Sequence, residues 1–113
     1  MSWSRWRAWL LPALEDGTEA ELLADLRGGR AQLWAGERAA MVTQVADETA
    51  GRALHVWLAG GDLSDILALK PGVEAWGRAQ GCDYVTINGR RGWARILRSD
   101  GFTRIGDELC KRL

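Results

Sequence analysis

The chain has 113 residues, 47% apolar and 27% charged, enough for one two-layer domain and little more. Fifteen basic residues balance fifteen acidic ones, and a net charge of zero argues against a dedicated nucleic-acid binder. No run of roughly 18 apolar residues exists, so no membrane-spanning helix is expected. Two distant cysteines and a single histidine leave no metal-ligand set.

The N-terminal segment, residues 3–15, places Trp3, Trp6, Leu10 and Leu14 on one helical stripe, with Arg5 and Arg7 off it. It is too rich in Trp and Arg to read as a signal peptide, so the expected location is the cytoplasm, of a bacterium or of a host producing a phage. Asp16-Gly17 breaks this helix. Thr18 then opens a capping box with Glu21, and Leu22, Leu23 and Leu26 give a second helix its apolar face. Gly28-Gly29 end that helix.

The period then changes from helix to strand. Residues 32–35, 39–46 and 53–59 read as three strands, with a tight turn at Gly36-Glu37 and a polar loop over 47–51. They form an antiparallel meander. Gly60-Gly61-Asp62 ends the meander, with Asp62 as N-cap of a helix over 63–69 that Pro71 interrupts or kinks before it continues over 73–80. Gly81 stops it. A short apolar strand over 84–87 follows, opened by Cys82, which reads as a buried free thiol. The helix after Gly89 turns Trp93, Ile96 and Leu97 inward, and the segment from Phe102 forms one last strand. An antiparallel start followed by a βαβ crossover gives an α/β domain with a mixed sheet and helices on both faces.

This order of elements, together with the Gly101-Phe102 junction after the last helix, resembles the GNAT family of acyl-CoA N-acyltransferases over roughly residues 3–109. The family's usual first strand is absent. The stretch Gly89-Arg90-Arg91-Gly92-Trp93 before a basic helix is similar to one in small acyltransferase-like proteins of tailed phages and prophages, some of them internal virion proteins. The resemblance implies a single GNAT-like domain over 1–113.

The same resemblance locates where catalysis would sit. The family holds the pyrophosphate of acetyl-CoA on a basic, glycine-rich loop at a helix N-terminus. The matching segment here is Leu58-Ala59-Gly60-Gly61-Asp62-Leu63-Ser64-Asp65, with two glycines, two carboxylates and no basic residue. Gly60 and Gly61 are the cofactor-binding candidates. Where the family often has a tyrosine acid, five residues before the phenylalanine, this chain has Leu97. His55, on the third strand, is the one candidate base; its alternative is a histidine hydrogen-bonded at the sheet surface. The expected function is therefore a phage- or prophage-associated GNAT-like protein without acetyltransferase activity, a structural or binding part of an assembly that needs no cofactor. The alternative is an N-acetyltransferase using acetyl-CoA through a divergent loop.

For the first of these, the partner-binding candidates are Trp3, Trp6, Arg91, Arg95 and Arg98. Arg91, Arg95 and Arg98 share one helical face, and Trp and Arg are enriched at interaction hot spots. A protein partner or self-association is the expected mode; membrane, nucleic acid and metal are not. The competing reading is packing for the tryptophans, with the first helix covering the open side of the sheet, and a solvated helix face for the arginines.

Overall fold

In this computed structural model, which describes residues 3–88 and 93–113, the chain opens with α1 (Trp3–Leu10) and a 3₁₀ turn (Leu11–Ala13) that carries Pro12. There follow α2 (Glu19–Arg27), β1 (Gln32–Ala35), β2 (Ala39–Glu48), β3 (Gly51–Gly61), α3 (Leu63–Ala79), β4 (Tyr84–Asn88), α4 (Trp93–Arg98), β5 (Thr103–Ile105) and β6 (Glu108–Arg112). The expected capping box is present. Thr18 accepts from the Glu21 backbone N–H, and the Glu21 carboxylate accepts from the Thr18 N–H at 2.9 Å. Gly28 caps α2 and Gly29 turns the chain out with φ +77°.

The strands form one six-stranded mixed sheet in the order β1-β2-β3-β4-β6-β5, in which only β3 and β4 run parallel. Two expectations change. The segment after Phe102 is a hairpin of two strands, because Gly106 takes φ +62° and reverses the chain between Ile105 and Asp107. Pro71 does not divide α3, which runs unbroken over 17 residues. Packing of Ile66, Val73 and Gly77 against the sheet outweighs the hydrogen bond that proline removes.

A β-bulge organises the centre. Val42 pairs with Leu58, but the next residue, Thr43, pairs with Val56, so Trp57 is an extra residue on β3. The strand's alternation reverses there. Leu54 and Val56 point to one face, and Leu58 points to the other. One core lies beneath α3 and α4 and includes Met41, Leu54, Val56, Ile66, Val73, Val85, Leu97, Phe102 and Leu109. The other lies beneath α1 and α2 and is built on Leu10, Leu22, Ala40, Val42 and Leu58.

An ionic cluster seals the edge of the first core. Glu74, 7% exposed, receives Lys70 at 3.0 Å and Lys111 at 3.0 Å. Both ammonium groups also bond Asp100 and lie over the Phe102 ring. The cluster ties α3, the end of α4 and β6 together, with each buried charge paired.

Candidate functional site

The parallel pair β3–β4 is in register only from Ala53–Tyr84 to Val56–Ile87. Beyond Ile87, β3 continues to Gly61 along β2 while β4 ends at Asn88, so the two strands part. A cavity of about 220 Å³ opens at this fork. Its walls are His55, Val56, Trp57 and Ala59 from β3, Ile87 and Asn88 from β4, and Ala13, Glu15 and Asp16 from the turn after α1. The backbone of β3 is open towards it. The Asp62 N–H bonds to the Arg38 carbonyl, so Gly60–Ala40 and Leu58–Val42 are the pairs that exchange ladder bonds. Ala59 and Gly61 alternate with them and turn their peptide groups away from β2, towards the fork.

His55 lies on the rim of this cavity. Its Nδ1 is 2.8 Å from Thr86 Oγ1 and 3.8 Å from a Glu108 carboxylate oxygen, with 30% of the side chain exposed. It is hydrogen-bonded at the sheet surface and also borders the cavity. Thr86 and Glu108 were not singled out in the sequence, since only the β3–β4–β6 register makes them neighbours of His55.

The two glycine candidates are placed differently from each other. Gly60 is a strand residue whose peptide is bonded to Ala40, and a Cβ there would collide with the Trp9 carbonyl oxygen. Its lack of a side chain lets α1 lie directly on β3. Gly61 takes φ +109° to turn into α3, and a Cβ would strike the Arg38–Ala39 backbone. The α3 N-terminus is occupied by its own residues. Asp62 Oδ2 accepts from the Asp65 N–H at 3.1 Å and from Ser64 Oγ at 3.1 Å. Asp65 in turn accepts from the Arg38 N–H at 2.8 Å, pinning the β1–β2 turn. One donor that would face a pyrophosphate, the Asp65 N–H, thus already faces a carboxylate, and with Asp62 and Asp65 bringing negative charge there the residues present do not fit that group.

No side chain near the fork serves as a phenolic acid. Leu97 is buried in the first core at 1% exposure. Tyr84 stands at the far end of β4, and its hydroxyl donates to Glu48 at 2.6 Å. That bond to a carboxylate, with some burial, pushes its pKa up to about 12, away from the range useful for proton transfer. Cys82 is buried and Cys110 half-buried, both free, and burial raises both thiols.

Trp3, Trp6 and Trp9 are half-buried against the second core. The Trp3 indole N–H donates to Glu19 at 2.6 Å, and Arg7 binds the same carboxylate at 2.7 Å. These two donors hold Glu19 down to a pKa of about 2. Arg5 lies over the Trp9 ring and bonds the Glu37 carbonyl. The first helix therefore covers the sheet. Arg95 and Arg98 are exposed on α4 and make no ion pair among the described residues. Arg91, the Gly89–Gly92 stretch around it and the Trp93 side chain lie outside the described residues.

Among the described residues no group of His, Cys, Asp and Glu is arranged to hold a metal ion, and no helix is long and apolar enough to cross a membrane. Comparison with protein-family models, with curated proteins and with solved structures returns no match.

Proposed function

We propose that this chain is a GNAT-like domain that works by binding rather than by acetyl transfer. The closed N-terminus of α3 is the observation that carries this. Asp62, Ser64 and Asp65 satisfy one another and the β1–β2 turn where the family would seat the cofactor's pyrophosphate. Support for the fold resemblance comes from the strand order: an antiparallel meander, one parallel pair, and a C-terminal hairpin inserted antiparallel beside β4. The binding surface in this reading includes exposed Arg95 and Arg98, suited to an acidic protein partner. The phage or prophage setting, with a role as a structural or binding part of a particle, rests on the resemblance of the Gly89-Arg90-Arg91-Gly92-Trp93 stretch.

A second reading, an N-acetyltransferase using acetyl-CoA, is favoured by one observation. The β3–β4 fork exposes the Ala59 and Gly61 peptide groups beside a cavity, where an extended, amide-bearing arm could pair with β3. A thermal-shift titration with acetyl-CoA and coenzyme A separates the two. Binding to the folded state raises the midpoint with concentration. No shift up to about 1 mM ligand supports the non-catalytic reading; a saturable shift supports the enzyme.

A further inference from the structure

The outer edge of β1 has a hydrogen-bonding pattern that matches itself. The Gly36 N–H donates to the Ala39 carbonyl at 2.8 Å. With the β1–β2 register, this makes Trp34–Met41 and Gln32–Thr43 the pairs that exchange ladder bonds with β2. Leu33 and Ala35 alternate with them, so their N–H and C=O groups point outward along the open edge. No backbone or side-chain partner for these groups exists among the described residues. The strand is Gln-Leu-Trp-Ala, without charge or proline, so it lacks the usual devices that keep an edge from pairing apart from its shortness. The opposite edge, β5, is three residues long with Arg104 at its centre.

We propose that β1 pairs antiparallel with β1 of a second copy, making one continuous sheet through a two-fold axis at Trp34. Leu33 then exchanges both backbone bonds with Ala35 of the second copy, and Ala35 with its Leu33. This is the register in which the outward groups of each edge meet those of the other, and a two-fold interface uses the same patch twice. Trp34 faces Trp34 of the second copy as a non-hydrogen-bonded pair, the closer kind, where aromatic side chains contact best. Each Trp34 already packs edge-on against Trp76, with ring centroids 5.7 Å apart, so the axis gains an aromatic cluster.

The edge itself argues for a second copy as the occupant, since its outward donors and acceptors on Leu33 and Ala35 are matched by those of the same strand reversed. A net charge of zero leaves no overall repulsion between copies. This inference is independent of the proposed function and of any ligand.

Sedimentation velocity on the whole chain, alone and as Ala35→Pro and Ala35→Lys, tests it. The wild type should sediment at twice its 12.5 kDa mass. Proline removes only an N–H that has no intrachain partner, at an edge position that tolerates it. Ala35→Pro should therefore be monomeric, with its melting midpoint and far-UV spectrum kept at low concentration. Ala35→Lys places a charge on an exposed edge residue and should weaken association at least about tenfold. The near-UV tryptophan signal should change with dissociation. A wild type that stays monomeric to about 1 mM, or a folded Ala35→Pro that stays dimeric, overturns the proposal. If Ala35→Pro does not fold, an Ala35→Lys protein as dimeric as the wild type overturns it.

Discussion

The two halves of the sheet are finished in opposite ways. The β1–β3 half is covered on both faces, by α1 and α2 on one side and α3 on the other. The β4–β6–β5 half is covered on one face only, by α3 and α4. Its other face carries a row of Thr86, Cys110 and Thr103, which the register continues onto His55 and Gln44 at the margin of the covered half. In the covered half the limiting quantity is space, met by glycine at Gly60 and by tryptophans as lids. In the half-open half it is charge, met by hydrogen bonds such as His55–Thr86 and Tyr84–Glu48 and by the Glu74 cluster at the margin.

This contrast predicts which substitutions hurt. Gly60→Ala should be the most damaging single-methyl change, costing about 3 kcal/mol or more. The added carbon meets backbone of α1, which can yield only by lifting the helix off the second core. Denaturant unfolding followed by tryptophan fluorescence would measure it; a loss below about 1 kcal/mol would show that α1 is not held by this contact. Glu74→Ala should cost about 2 kcal/mol, less than a fully buried pair because both lysines reach some solvent. Glu74→Gln should recover only a small part of the loss, since its amide oxygen accepts from one of the two ammonium groups while its NH2 cannot accept from the other.

Gly72→Ala bears on the exposed side of α3. It has no atom within contact range of a new Cβ, and it should raise stability by about 0.5–1 kcal/mol. A destabilisation there would mean that the glycine relieves Pro71. The smallest effect is expected from Glu19→Gln. Glu19 has a folded pKa depressed from 4.5 to about 2, so its contribution is complete above pH 4.5 and is lost as pH falls towards 2. Asp100 shifts the same way through Lys70. Glu19→Gln should therefore flatten the loss of stability between pH 4.5 and 2 by lowering neutral-pH stability modestly towards the acid value, as acid titration of the fluorescence midpoint would record.

Local chemistry was legible in the sequence. The Thr18–Glu21 box, the Gly28-Gly29 stop, the Asp62 cap and the three-strand meander depend on residues close in the chain. Gly106 and the last hairpin it turns are local in the same sense. Other features depend on neighbours distant in sequence. The Trp57 bulge shows only when β2 and β3 are aligned. Gly60 looks like a loop glycine until Trp9 is seen above it. The fork at β3–β4, with Asp16 and Asn88 in its wall, needs the parallel pairing that joins residues some thirty positions apart. Asp62 was readable as a cap; that Asp65 serves the β1–β2 turn was not, because its partner is Arg38.

The division of apolar residues into two cores also sets an order in time. The buried members of the second core all lie between Leu10 and Leu58, whereas the first core waits for Phe102 and Leu109. A chain emerging from the ribosome N-terminus first can therefore bury α1 and α2 on the β1–β3 meander before α3 is made. During that interval the underside of the meander, with Met41, Leu54 and Val56, is bare. The bulge at Trp57 decides which side of β3 is protected first.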